Sequence, residues 1–215
     1  MEKKTDFKAL STRAKFDYIW DYYKLHILAA IIAVCVVVSL IHHYVTYREP
    51  ILNVIMINCI GGDLADDSGF DEFLENYGHD PAKEPVSLSS NLYFSENSST
   101  DSYTNMQVLA AMMAAGDQDL FFGTGDIYLS YADQGALADL SAVLPADILE
   151  QYKDSLIYTT EDGTRDAYPC AIELSDNSWL SENNYYDTCY FGIFYNAPHL
   201  NTVLEFANFL LTQQS

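Results

Sequence analysis

The longest apolar stretch of the chain runs from Leu25 to Val45, LHILAAIIAVCVVVSLIHHYV. Between Leu25 and Ile41 it has no charged residue, so a helix here is apolar on every face, which is unusual for a soluble protein. At about 1.5 Å per residue the stretch spans about 30 Å, the thickness of the hydrocarbon core of a bilayer. The pattern predicts a transmembrane helix over residues 25–45, between a short segment 1–24 and a domain 46–215.

Beyond this helix, apolar runs with the character of buried strands alternate with segments of helical period. Within the helical segment 103–115, Met106, Leu109, Ala110 and Met113 fall on one face, which is predicted to be buried. The order strand, helix, strand, helix, strand predicts an α/β fold with a mostly parallel sheet. The predicted strands cover 51–60, 86–94 and 119–122, and the predicted helices cover 71–77 and 103–115.

The second half of the domain has shorter elements. Asp162-Gly163 separates two apolar runs and predicts a β-hairpin. A polar, aromatic loop is expected over 179–186. The remaining predicted elements are helical turns over 127–132 and 146–152, hairpin strands over 156–160 and 167–172, a buried strand over 189–195 and a final amphipathic helix over 202–212.

Basic residues are concentrated before the apolar stretch. Six of the ten in the chain lie there: Lys3, Lys4, Lys8, Arg13, Lys15 and Lys24. Because basic residues beside a membrane helix stay in the cytoplasm, the N-terminus is predicted to be cytoplasmic and the domain extracytoplasmic. A cleaved signal peptide is disfavoured, since His42-His43-Tyr44-Val45 is a poor cleavage site. Cys35 lies inside the apolar stretch without a small residue before it, which disfavours a lipoprotein.

The predicted outer domain is strongly acidic. Residues 46–215 contain four basic and 27 acidic residues, a net charge of −23. Such a domain repels nucleic acid and anionic surfaces, so neutral or cationic partners are expected. Cys170 and Cys189 are the candidates for one disulfide, and Cys59 is expected to be a buried thiol.

Several segments of the domain, taken in order, resemble the extracellular solute-binding proteins of bacterial ABC importers. They are LAAMMAAGD at 109–117, DLFF at 119–122, YADQGALADL at 131–140, DGTRDAYP at 162–169 and the strand and helix over 192–211. The resemblance implies a fold of the periplasmic-binding-protein type and a solute ligand such as a sugar or a peptide. Such proteins have two lobes and about twice this length, so the chain has room for about one lobe.

Ligands of open α/β sheets bind outside the carboxyl ends of the strands. In this chain that edge is predicted to bring together seven candidate ligand-binding residues: Gly61, Gly62, Asp63, Thr124, Gly125, Asp126 and Tyr128. Glycines there allow close approach of a ligand to the backbone. The alternative is that these glycines only form turns.

No sequence motif for catalysis, a cofactor or a metal stands out. The acidic residues from Asp63 to Glu75 do not fit an EF-hand loop, because its first position would be Leu64. A looser calcium site and a solvated helix face remain alternatives. Trp179, Tyr185 and Tyr186 are residues for stacking on a sugar, for docking a protein, or for the rim of the core.

The sequence therefore predicts a non-enzymatic binding module anchored to the membrane, without cofactor or metal. Its ligand is expected to be a small solute or a partner protein of a membrane complex. The alternative is a structural component of such a complex that keeps the fold without a ligand.

Overall fold

The computed structural model describes residues 12–61, 65–94, 99–161 and 163–212. The described chain divides into two units, one ending at Tyr47 and the other beginning at Arg48. The first unit is one helix, α1, over Thr12–Thr46. It contains the predicted helix 25–45 and begins earlier.

The portion Tyr23–Thr46 of α1 is long and apolar enough to cross a membrane, and none of its side chains is buried. It is thus compatible with a membrane anchor. A signal sequence near an N-terminus has the same length and composition. The helix ends just before Arg48-Glu49-Pro50, where proline cannot continue it.

The second unit is built on a six-stranded sheet in the order β2-β1-β3-β6-β5-β4. Its strands are β1 (Leu52–Ile57), β2 (Val86–Leu92), β3 (Leu120–Gly123), β4 (Leu156–Thr159), β5 (Tyr168–Ser175) and β6 (Thr188–Ile193). Strand β1 lies inside the sheet and five of its six residues are buried, as its apolar character on both faces predicts.

Only one half of the sheet is parallel. Strand β1 runs parallel to both β2 and β3, whereas β6 runs antiparallel to β3 and β5, and β5 runs antiparallel to β4. The prediction of a mostly parallel sheet is therefore wrong for the second half. A hairpin, here β4–β5, is antiparallel by construction, and the connection from β5 to β6 has only a five-residue helix, too short for a usual crossover.

Helices cover both faces of the sheet. They are α2 (Asp71–Asn76), α3 (Ser99–Ala115), α4 (Gly125–Asp133), α5 (Leu140–Val143), α6 (Ala146–Gln151), α7 (Ser178–Glu182) and α8 (Leu200–Thr212). Residues of α2, α5, α7 and α8 belong to the apolar core on one face, and those of α3 and α4 to the core on the other. The result is an α/β domain of three layers around a mixed sheet.

Helix α3 buries less of itself than its pattern predicts. Of the four residues expected on its buried face, Leu109 is fully buried and Met113 partly, while Met106 and Ala110 are exposed. Its outward face carries Tyr103 and Val108, which are 63% and 42% exposed. No residue from 102 to 116 is charged.

Aromatic residues form the centre of the core on the α8 face. The segment predicted as a loop over 179–186 contains all of α7 but its first residue, and Trp179, Tyr185 and Tyr186 are almost completely buried. The polar atoms of all three are satisfied: Trp179 Nε1 donates to the carbonyl of Gly69, and the tyrosine hydroxyls donate to the carbonyls of Asp66 and Ile57. These rings are core residues, so they offer no surface for stacking or docking.

A buried carboxylate joins three elements at the opposite edge of the sheet from the strands' carboxyl ends. Asp119, immediately before β3, has no exposed surface. Its Oδ2 accepts from the Asn53 backbone N–H of β1 at 2.8 Å and lies 2.8 Å from His199 Nδ1. Its Oδ1 accepts from the His199 backbone N–H at 2.9 Å, one residue before α8.

We expect Asp119→Asn to destabilise the protein by about 3 kcal/mol, because the amide nitrogen cannot accept from these buried donors. For a unit of this size the loss corresponds to a fall in Tm of about 6–12 °C. Thermal unfolding of the full chain in neutral micelles measures it.

The matched control is Asp117→Asn, because the exposed Asp117 carboxylate accepts only from Gln118 Nε2 within the described residues. Its Tm should stay within the range of a surface substitution, about 0.5 kcal/mol. Equal losses in the two variants would show that the Asp119 hydrogen bonds contribute nothing particular.

Candidate functional site: a cleft at the carboxyl edge of the parallel strands

The three parallel strands end side by side at one edge of the sheet. Asn58 follows β1, Tyr93 and Phe94 follow β2, and Thr124 follows β3. From β1 the chain passes to α2 on one face, whereas from β3 it passes to α4 on the other. Neighbouring strands whose connections leave on opposite faces create a crevice, and ligands of open α/β sheets bind at such a point.

A cleft of about 340 Å³ lies at this edge. It is called the carboxyl-edge cleft below, and it is lined by Asn58, Phe94, Ser102, Met106, Thr124, Gly125, Asp126 and Ile127. The volume falls within the usual size range of small-molecule pockets. Its wall combines apolar side chains with a few polar groups, which is also typical of such sites.

Asn58 lies in the turn that follows β1 and lines the cleft. Its backbone has φ 56°, in the left-handed region that asparagine tolerates better than most residues. The side-chain Oδ1 accepts from the Phe94 backbone N–H at 2.7 Å, which ties the exits of β1 and β2 together. Within the described residues its Nδ2 has no hydrogen-bond partner, so two donor hydrogens remain for a ligand.

Thr124, Gly125 and Asp126 form the opposite wall, at the start of α4. Gly125 has φ 77°, a conformation that side chains other than glycine rarely adopt. Thr124 occupies the N-cap position of α4, but its side chain makes no capping hydrogen bond. Among the described residues the Thr124 hydroxyl and the Asp126 carboxylate have no hydrogen-bond partner, and both line the cleft.

Tyr128 lies beneath the cleft rather than on its wall. Although predicted with the ligand-binding residues, it is fully buried. Its ring stacks on Phe121 with a centroid distance of 4.6 Å, and its hydroxyl lies 3.4 Å from the Phe121 carbonyl. Burial raises the pKa of Tyr128 well above its ordinary value, so the phenol stays neutral. Tyr128 thus holds α4 on the sheet and positions Thr124 to Asp126.

The other predicted residues lie elsewhere. Gly61 does not line the cleft; its N–H donates to the carbonyl of Asn184 at 2.9 Å. Gly62 and Asp63 lie outside the described residues. The structure therefore brings together Thr124, Gly125 and Asp126 from the predicted set.

The sequence pattern did not point to five of the lining residues, namely Asn58, Phe94, Ser102, Met106 and Ile127. Asn58 gave a weak signal, because it is the second of two asparagines in the otherwise apolar run ILNVIMINCI and lies near the end of that run. The strand was nevertheless predicted to continue to Ile60, whereas the chain leaves the sheet after Ile57.

The charge of the cleft is negative. Asp126 is the charged residue among its described lining residues, and the domain around it carries an excess of acidic groups. A ligand with a positive or neutral polar group suits this wall, and an anion does not.

A larger open depression of about 680 Å³ lies at the loop of the β4–β5 hairpin, along Asp139 and residues 163–168. Its guanidinium group, that of Arg165, already pairs with Glu161 at 2.7 Å and lies 4.6 Å above the Tyr168 ring. Hydrogen bonds from Tyr168 and Arg165 lower the pKa of Glu161. The charged groups of this cluster thus bind one another and stabilise the hairpin loop. We therefore place the candidate site at the carboxyl-edge cleft.

Cys170 and Cys189, the candidates for a disulfide, are free thiols. Cys170 belongs to the core on the α4 face and Cys189 to the core on the α8 face, so the sheet separates them. An irregularity in the pairing of β4 with β5 places Cys170 Sγ near the Ile157 carbonyl, at 3.4 Å. Burial raises the pKa of Cys170 to about 11, which keeps the thiol protonated.

Among the described residues, no three histidine, cysteine, aspartate or glutamate side chains are grouped as a metal site would require. Comparison with protein-family models, with curated proteins and with solved structures finds no match for this chain. The resemblance to solute-binding proteins accordingly stays a sequence-based expectation.

We expect Gly192→Ala to destabilise the protein by about 1–3 kcal/mol through overpacking. A Cβ at Gly192 would lie 2.5 Å from the Tyr128 hydroxyl oxygen, 2.9 Å from Leu137 Cδ1 and 3.2 Å from the Cys170 carbonyl oxygen. Thermal unfolding measures the loss, and the double variant Gly192→Ala/Tyr128→Phe should recover much of it because the clashing oxygen is gone. Additive losses would contradict the close contact between the Tyr128 hydroxyl and position 192.

Proposed function

We propose that the domain beginning at Arg48 is a non-enzymatic binding module for a small polar solute, held at the outer side of a membrane by α1. The observation that carries the proposal is the carboxyl-edge cleft, where Asn58, Thr124 and Asp126 present unpartnered polar groups at the crevice between β1 and β3. This is the position at which open α/β sheets bind ligands.

The cleft chemistry narrows the solute. Asn58 Nδ2 donates, the Thr124 hydroxyl donates or accepts, and the Asp126 carboxylate accepts. Phe94, Met106 and Ile127 supply apolar surface beside them. A sugar, whose hydroxyls donate and accept, or a short peptide with its amino group on Asp126 fits this combination.

The proposal that the domain lies outside the membrane rests on α1 and on the basic residues before it. Tyr23–Thr46 has the length and composition of a membrane span. The excess of basic residues before it supports a cytoplasmic N-terminus. The poor cleavage site at His42-His43-Tyr44-Val45 supports an uncleaved single-pass anchor. The likeness of the segments over 109–140 and 162–211 to solute-binding proteins supports the same function.

The first test is thermal unfolding of the full chain in neutral micelles against sugars, short peptides and polyamines. A solute at a hundred times its Kd adds about 2.7 kcal/mol, which raises Tm by about 5–10 °C in a unit of this size. If no solute of this panel raises the Tm, the result would contradict the proposed solute binding and favour a structural role in a membrane complex.

For a solute that binds, Asp126→Asn and Thr124→Val should each weaken binding, measured by calorimetry. Loss of a hydrogen bond to a charged group costs about 1.5–3 kcal/mol, so Asp126→Asn should raise the Kd of an amine-bearing solute by about tenfold or more.

The control is Asp147→Asn, which changes an exposed aspartate in the first turn of α6, as Asp126 is in the first turn of α4. Equal affinities of wild type, Asp126→Asn and Thr124→Val would place the binding site elsewhere on the domain.

A further inference from the structure

His79 lies between two carboxylates from distant parts of the chain. It belongs to the loop that joins α2 to β2, and its side chain is 20% exposed. Its Nδ1 is 3.4 Å from Glu84 Oε2 in the same loop, and its Nε2 is 3.1 Å from Glu205 Oε2 on α8. The imidazole is thus the bridge from this loop to the C-terminal helix.

Both ring nitrogens of His79 face a carboxylate, and this determines which charge state of the imidazole suits the site. A neutral imidazole has one N–H, so it donates to one carboxylate and presents a lone pair to the other. The imidazolium donates to both and carries the charge that two carboxylates favour. His199 is different, because within the described residues only its Nδ1 contacts a carboxylate, which a neutral ring satisfies.

The Glu84 carboxylate is held in place beside His79 by its own loop. Glu84 Oε2 also accepts from the Asp80 backbone N–H at 3.1 Å, and Lys83 pairs with Asp80 in the same loop. From α2 the neighbour is the uncharged ring of Phe73, and from α8 it is Glu205. Glu84 and Glu205 are accordingly the charged groups that face the imidazole from the elements packed around it.

We propose that His79 is a proton-controlled latch that fastens α8 to the loop between α2 and β2. With the ring protonated, two charge-assisted hydrogen bonds join the elements. With the ring neutral, one of these bonds is replaced by an unfavourable contact between a lone pair and a carboxylate. A second link between the same parts, from Asn208 Nδ2 to the Tyr77 hydroxyl at 2.8 Å, does not involve His79 and remains.

The direction of the response follows from linkage. Hydrogen bonding to Glu205 is the largest influence on His79 and raises its pKa above the ordinary value of 6.5; burial opposes it, and the hydrogen bond to Glu84 adds to the rise. The latch is therefore fully present below pH 6.5 and is lost as the pH rises through the raised pKa. Acidification of the surroundings tightens α8 on the domain, and alkalinisation loosens it.

Two readouts on the full chain in zwitterionic micelles test the latch. The histidine ring resonances are followed by NMR from pH 5 to 9, with His79 assigned from His79→Gln. Its midpoint should lie above 6.5, and Glu205→Gln should lower it. Glu182→Gln, an exposed glutamate on α7, should leave it unchanged.

The second readout is amide hydrogen exchange of α8, corrected for the intrinsic rate at each pH. Protection of the α8 amides should fall as the pH rises, by up to tenfold for each unit by which the His79 midpoint exceeds 6.5. The dependence should disappear in His79→Gln, or in Glu205→Gln if His79→Gln fails to fold.

A His79 midpoint at or below 6.5 would overturn the proposal. Protection of α8 that is independent of pH in the wild type would overturn it as well. So would a pH dependence that persists in both the His79→Gln and the Glu205→Gln variants.

Discussion

The carboxylate of Asp119 is the contact on which the arrangement of the domain depends. It is fully buried, and its hydrogen bonds to the β1 backbone and to His199 offset the free-energy cost of removing it from water. Those same bonds set β1, β3 and the start of α8 relative to one another. Since β1 and β3 also end beside the cleft, the strands that Asp119 joins at one edge of the sheet are the strands that flank the cleft at the other.

Local pattern accounts for the elements near this contact. The apolar runs of β1 and β3 and the amphipathic face of α8 are visible in the sequence because each depends on the burial of its own residues. Strand order and direction depend on pairings between residues far apart in the chain. The alternation of strands and helices therefore predicted the parallel half correctly and missed the antiparallel return of β6 and β5.

The candidate site shows the same division. Thr124, Gly125 and Asp126 follow from the rule that ligands bind beyond the carboxyl ends of strands. The rule failed for Tyr128, which is buried and not on the cleft wall. Helix α4 begins at Gly125 and not at Ile127 as predicted, so Tyr128 lies within its first turn and faces the sheet. Asn58 was hidden within an apolar run, since only its backbone conformation removes it from the strand.

The two helices that border the cleft are anchored very differently. Helix α4 is fixed by the fully buried ring of Tyr128, whereas α3 has Leu109 as its one fully buried residue among those described. Elements with few buried apolar contacts open at low free energy. The cleft accordingly has one rigid wall and one compliant wall, and the compliant wall carries Met106, an unbranched and adaptable side chain. If the cleft binds a solute as proposed, movement of α3 would admit solutes of different bulk while the polar groups on α4 keep their positions.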